Sequence, residues 1–378
     1  MQINRLLMTG CALAIVFITG CVNSGSEPSE QQSAAPYVAN SFTLNRGVNA
    51  SHWLSQSDIR GAERVAYMQE KDFETIAALG FDHVRLPVDE EQLWNEQGEQ
   101  QAEAFALMHQ AIGWSLKHDL RVIIDLHVLR AHHFNRPDSQ KIWHDRAAQE
   151  QYISFWQQLS AELKQYPLAK VAYEPLNEAV ADDNEDWNKL INWVIAEIRK
   201  LEPNRTIIMG SNRWQQVDTF AALQVPANDP NIILSFHYYT PFNLTHYRAP
   251  WTHIKDYAGP VQYPGETVPS EELAKLDSVL ADHLKGANGP YDKAIMAKHI
   301  EQAVAVAQAH NLQLYCGEFG AFPTTHLALR QAWYRDLIEI FDENDIAWAH
   351  WNYKNDFPLV DEQLNPDDSL LQILLPPM

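Results

Sequence analysis

The sequence predicts an α/β fold, a (β/α)8 TIM barrel in a single domain. Three observations lead there. Short β-branched runs alternate with longer stretches of helical period, as in repeated βα units. Eight such runs can be counted. Nearly every run is apolar until its last two or three positions and then ends in His, Arg, Asn, Glu, Tyr or Trp. In a closed parallel barrel the carboxyl ends of all strands open on one mouth, so this pattern collects the polar residues in one place. A doubly wound open sheet is the alternative, but it calls for a Gly-rich phosphate-binding turn after an early strand, and the sequence has none.

Taken in order, the predicted strands are Thr43 to Asn49, His83 to Pro87, Arg121 to His127, Val171 to Glu178, Thr206 to Ser211, Ile232 to Tyr239, Leu312 to Glu318 and Ala347 to Trp351. Amphipathic helices are expected at 68–79, 103–118, 147–165, 187–201, 216–223, 294–310 and 328–344, several of them closed by Gly, His-Asp or Asn signals. The spacing breaks once, between Thr240 and Lys293, where Tyr247, Trp251, Tyr257 and Tyr263 sit in a Pro/Gly-containing stretch with a short helix expected near 270–285. Loops of that length usually serve function. Most of these aromatics are expected to pack the insertion onto the barrel, leaving one or two to line a binding subsite.

Ahead of the barrel, Arg5 and the apolar run Leu13 to Ile18 read as an export signal over residues 1–20, too short to span a membrane. The run ends in Ile-Thr-Gly-Cys, which resembles a bacterial lipobox, so Cys21 is expected to become the lipidated first residue. Cys11 leaves with the signal and only Cys316 remains, so an intramolecular disulfide is not expected. Residues 21–40, rich in Ser, Gln, Pro and Glu, read as a flexible tether, and 41–378 as the catalytic domain. Val22 is not the Asp that commonly signals inner-membrane retention, so an outer-membrane or cell-surface lipoprotein, monomeric, is the expectation.

A net charge of −21 argues against nucleic acid and anionic lipid heads as partners and suits a neutral substrate. Twelve Trp and 14 Tyr supply rings on which the apolar faces of sugars can stack. Two carboxyl groups close facing strands: Glu178 in Tyr-Glu-Pro-Leu-Asn-Glu and Glu318 in Cys-Gly-Glu-Phe-Gly. Two such groups suffice to break a glycosidic bond, one protonating the leaving oxygen and one meeting the oxocarbenium-like centre.

The motifs Arg-Gly-Val-Asn at 46–49, Arg85 in Val-Arg-Leu-Pro, His127, Asn177-Glu178, His237 and Tyr239, Glu318 and Trp351 resemble glycoside hydrolase family 5, the cellulase-type retaining enzymes, over residues 43–353. The resemblance implies Glu318 as nucleophile and Glu178 as acid/base. Arg85 is expected to lower the pKa of Glu318, and Tyr239 to donate to the same carboxylate. It further implies Asn177 on the sugar 2-hydroxyl, His127 and His237 on hydroxyls and on the two carboxylates, and Trp351 as the floor under the reacting sugar. His52, Trp53 and Trp214 are further candidate sugar contacts. His132 and His133 match no ligand spacing, so no metal or cofactor is expected, and both are read as loop residues touching substrate or solvent.

The expected substrate is β-1,4-glucan or a related β-glucan, chain or oligosaccharide. β-Mannanase, xyloglucan-active and exo-β-glucanase activities carry the same residues and stay open, the long insertion being one way to close the cleft for exo action. A surface glycan-binding lipoprotein without turnover is the reading from another class. A metal-dependent hydrolase would need His-x-His after the first strand, where Asn49 stands.

Overall fold

Why eight strands close is visible in their pleat: one face of each strand packs on helices and the other fills the barrel. A computed structural model describes residues 37–136 and 138–376. The signal at 1–20, Cys21 and the tether up to residue 36 lie outside those residues. Strands β1 (Arg46–Asn49), β2 (His83–Val88), β3 (Arg121–Leu126), β4 (Val171–Glu174), β5 (Ile207–Gly210), β6 (Ile232–Tyr238), β7 (Gln313–Phe319) and β8 (Ala347–His350) form one closed barrel in sequence order, β8 pairing back onto β1. All eight pairings are parallel.

Helices Glu70–Leu79, Ala102–Lys117, Arg146–Leu163, Asn184–Leu201, Lys293–His310 and Leu327–Glu343 cover the outside. Their ends follow local chemistry. Gln69 and Asp72 form a capping box at the first, and Gly80 closes it at φ 101°, a left-handed angle that costs glycine little. The side chains of Asp145, Asp183 and Asp292 accept first-turn N–H groups of three others. Between β5 and β6 the expected helix is a six-residue 3-10 turn, Val217–Ala222, because Pro226 and the next strand leave no length for a longer helix.

The largest departure from the expected boundaries is β4, which ends at Glu174 rather than Glu178. Pro175 has no N–H to continue the ladder. Its carbonyl is taken instead by the Tyr152 hydroxyl at 2.8 Å and the Trp156 indole at 2.9 Å. β1 also starts later than expected. Phe42 and Leu44 run beneath the barrel and plug it, packing with Ile123, Ala172, Ile208, Ile233, Tyr315, Ala347 and Ala349.

The insertion folds on its own small core of Ile254, Tyr257, Val268 and Leu284. Where one short helix is expected near 270–285 it holds two, Ser270–Leu273 and Ser278–Gly286. Among the described residues no helix is long and apolar enough to cross a membrane.

Candidate active site

Above the apolar plug the inward positions turn polar: Arg85 on β2, Asp125 on β3, Glu174 on β4 and Ser235 on β6, all buried. Arg85 is the hub. Its Nε and Nη2 donate to both oxygens of Glu174 at 2.7 and 3.1 Å, and Nη2 also reaches Asn177 Oδ1 at 2.8 Å and Asp125 Oδ2 at 3.0 Å. Its Nη1 donates to Asn49 Oδ1 at 3.0 Å and to Glu318 Oε1 at 2.8 Å. One guanidinium thus faces three carboxylates. Such a set cannot all ionise cheaply out of water, and burial pushes Asp125 up to about 7 although Arg85 opposes it.

Glu318 reaches the mouth through a β-bulge. The register slips at Gly317 against β6, where Phe236 pairs with Cys316 and His237 with Glu318, and β7 slips against β8 over the same stretch. Strict alternation from inward Tyr315 would put Glu318 outside among the helices; the extra residue reverses the phase, so Glu318 points in and Phe319 packs outward. Asn49 Nδ2 holds the Gly317 carbonyl at 3.0 Å. A Cβ on Gly317 would lie 3.0 Å from Ser235 Oγ and 3.1 Å from His237 Nε2, so a side chain there would press on both.

Glu318 Oε2 accepts from the Tyr239 hydroxyl at 3.0 Å, so both oxygens are held. Burial nevertheless raises its pKa above the ordinary value, with Arg85 and Tyr239 pulling the other way. Arg85 lowers it as expected, but desolvation is the larger effect and the net shift is upward.

Glu178 lies four residues past the end of β4, at φ 43°. Two side chains hold its backbone there. Gln215 Oε1 accepts its N–H at 3.0 Å, and His132 Nε2 lies 3.1 Å from its carbonyl. Burial first, then the charge of Glu318, lift the Glu178 pKa well above the ordinary range. His237 Nδ1 sits 2.9 Å from Glu178 Oε1 and 3.6 Å from Glu318 Oε2, bridging the pair. Burial, Arg85 and His127 depress the His237 pKa far below its ordinary value, which keeps the ring neutral.

One atom from each of Glu178, His237 and Glu318 falls within 4.8 Å of the others, a spacing that could also accommodate a metal ion. A cation there would share the Glu318 oxygens with the Arg85 and Tyr239 donors, and the guanidinium charge beside it would oppose it.

The remaining candidates divide. Asn177 Oδ1 is used by Arg85, while its Nδ2 is buried without a partner and free for a hydroxyl acceptor. His127 Nδ1 bonds Asp125 Oδ2 at 2.6 Å, and its ring lies parallel to Trp351, centroids 5.6 Å apart. Among the described residues it makes no hydrogen bond to Glu178 or Glu318, contrary to the expected contact. His52 pairs with Asp356 at 3.0 Å and meets Trp351 edge-on. Trp214 stands on the loop after β5, its N–H on Ala179 O and its indole on Phe134 O.

Trp53 is a correction: it is fully buried, its indole bonded to Arg64 O at 2.7 Å, and it belongs to the core outside the barrel. His132 is another, buried and structural instead of touching substrate or solvent. Asp125, Glu174 and Gln215 escaped the sequence reading. Period-two spacing from His127 and Arg85's need for counter-charge were the available signals for the first two. Gln215 had none.

Comparison with known proteins follows the same lines. Residues 45–357 match the family model described as Cellulase (glycosyl hydrolase family 5). Endoglucanase C of Acetivibrio thermocellus is 31% identical over 340 residues, covering 88% of this chain and 98% of that one. Cellodextrinase A of Ruminococcus flavefaciens is 26% identical over 305 residues, 80% and 83% of the two chains. An endoglucanase structure from Thermotoga maritima superposes with TM-score 0.71 at 24% identity, over 88% of this chain and 97% of that one. The cellulose synthase subunit Z of Clostridioides difficile gives 0.72, also at 24%, over 88% and 100%.

Proposed function

The chain belongs to glycosyl hydrolase family 5 and is a glycoside hydrolase, and from that premise we propose that it cleaves β-1,4-glucan or related β-glucan chains and oligosaccharides with net retention. The observation that carries the mechanism is the closeness of the two carboxylates, with oxygens of Glu178 and Glu318 within 4.8 Å. Carboxyl groups about 5–5.5 Å apart suit a direct nucleophile, whereas inversion needs roughly 6.5–9.5 Å to admit a water.

Glu318 attacks the anomeric carbon while Glu178 gives its proton to the departing glycosidic oxygen. The bond to that oxygen breaks and a glycosyl ester on Glu318 forms. The ester removes the charge that helped hold the Glu178 proton, so Glu178 now ionises readily and takes a proton from water. That water attacks the same carbon and releases the Glu318 carboxylate to Arg85 and Tyr239. Asn177 Nδ2 donates to the 2-hydroxyl, Trp351 and Trp214 offer ring faces to the sugars, and His127, His237 and His52 contact the surrounding hydroxyls.

Relatives named endoglucanase and cellodextrinase favour glucan over mannan, and the endoglucanases favour internal cuts over exo action. The N-terminal motif supports export and lipidation at Cys21 ahead of a tether to about residue 40, and Val22 favours the outer membrane; membrane fractionation of Cys21→Ser beside wild type tests the anchor, and the variant should leave the membrane fraction.

Reducing-sugar release from carboxymethyl-cellulose, mixed-linkage β-glucan, glucomannan, mannan and xyloglucan tests the activity, with Glu318→Gln alongside. Release from the glucans, lost in the variant, with the first product retaining β-configuration by proton NMR, is expected. Preference for mannan would replace the substrate, and an initial α-anomer would overturn the mechanism.

A further inference from the structure

A second cavity, about 470 Å3, lies in the insertion between Pro250–Asp256 and Asp277–His283. We infer that it is a distal glucan subsite, holding a sugar ring of the same chain beyond those at the reacting bond. This rests on the glucan reading above and deepens it.

Trp251, on the wall of the cavity, lies near the catalytic centre, two ring-to-ring contacts from Tyr239 through the buried Phe357. Tyr239, whose hydroxyl touches Glu318, packs on Phe357 with centroids 6.2 Å apart, and Phe357 packs on Trp251 at 6.1 Å. Trp251 lines the cavity and is 47% exposed, the one large ring in that wall open to solvent. It is not loose. Phe322 meets it edge-on at 5.0 Å, and the insertion is pinned to the loop after β7 by Phe322 N–H to Thr245 O and Thr325 Oγ1 to Leu244 O. A fixed, half-open indole costs little entropy to use as a stacking platform.

The polar lining points to a neutral polyhydroxyl ligand. His253, Lys255, Asp256 and His283 line the cavity as exposed side chains of both signs. The two histidines lie ring on ring, 4.9 Å apart and 12° from parallel. An anion or a cation would match only one sign of that lining, whereas sugar hydroxyls donate and accept. Exposed Val279 and the Trp251 face complete an apolar wall for the other side of the ring.

The test compares kcat/KM on cellohexaose with that on an aryl cellobioside too short to reach the cavity, for the full chain and for Trp251→Ala, Asp256→Asn and His283→Ala. Trp251→Ala should lose about tenfold on the hexasaccharide, the worth of one good stacking contact, and stay within about twofold on the short substrate. The two polar variants, on the exposed side of the cavity, should lose several-fold with the same selectivity. Equal losses on both substrates, or no loss with any variant, would overturn the subsite while leaving the glucanase reading intact. A wild type inactive on both would overturn that reading and the subsite with it.

Discussion

Individual side chains divide the labour between two acids of the same chemical type. Both Glu178 and Glu318 are pushed up by burial, but Glu318 alone is held by a guanidinium and a phenol. The difference keeps the proton on Glu178, as an acid/base and nucleophile pair requires. The hydrogen bond from Tyr239 lowers the Glu318 pKa, so Tyr239→Phe should raise it. Because Glu318 must be ionised to attack, the acidic limb of the kcat/KM profile should move to higher pH in the variant, while the alkaline limb, set by loss of the Glu178 proton, stays near its place. An acidic limb that does not move would show that the phenol contributes nothing to ionisation. The two glutamates, Arg85, His237 and Tyr239 could be read in the sequence because each sits at or near a strand end. The counter-carboxylates Asp125 and Glu174 were missed although period-two spacing and the need of Arg85 for counter-charge pointed to them; that one arginine gathers acids from three other strands is visible only in the fold.

At the scale of elements, the catalytic acid stands on irregular backbone. Pro175 ends β4 early, and the chain reaches Glu178 through a left-handed angle stabilised by Gln215, which also donates to Glu174 Oε1 at 3.3 Å and to Ser235 Oγ at 3.2 Å. Gly210, under Gln215, leaves the room: a Cβ there would come within 2.4 Å of the Gln215 side chain. Gln215→Ala should therefore lower kcat by roughly 10–100-fold, as misplacing a catalytic group by about 1 Å does, with KM little changed and the melting curve still cooperative. A drop confined to KM would mean that Gln215 binds substrate instead. The strand positions and most helices followed from periodicity. The bulge at Gly317 did not, because one added residue changes which face a side chain takes without changing composition or period.

For the whole molecule, the barrel tolerates buried acids that carry a cost in stability. Asp89 is pushed up to about 7, by burial first, its Oδ2 accepting the Gln56 N–H at 2.7 Å while Oδ1 has no partner. Below the ordinary carboxylate range the folded and unfolded chains both hold this proton. As pH rises towards 7 the unfolded chain releases it first, so stability falls across that window and levels off above it. Asp89→Asn removes this dependence, so the variant should gain on wild type by on the order of a few kcal/mol between about pH 4 and about pH 7. Urea midpoints at both ends of the window check it: a constant difference between the two proteins would sink the assignment. The same scale shows where the chain joins the barrel. Tyr37–Asn40 binds beneath it, Val38 and Asn40 donating their N–H groups to Asn204 and Asn231, on the face opposite the catalytic carboxylates. By itself the sequence determined the barrel and placed Glu178 and Glu318 at strand ends that open on one mouth, because hydrophobic period and strand-end chemistry are local properties of the chain. Tertiary structure alone decided what surrounds each of those acids, which aromatics meet the cleft and which are core, and how Arg85 is shared, because burial, charge proximity and strand register arise only when distant segments share the same space.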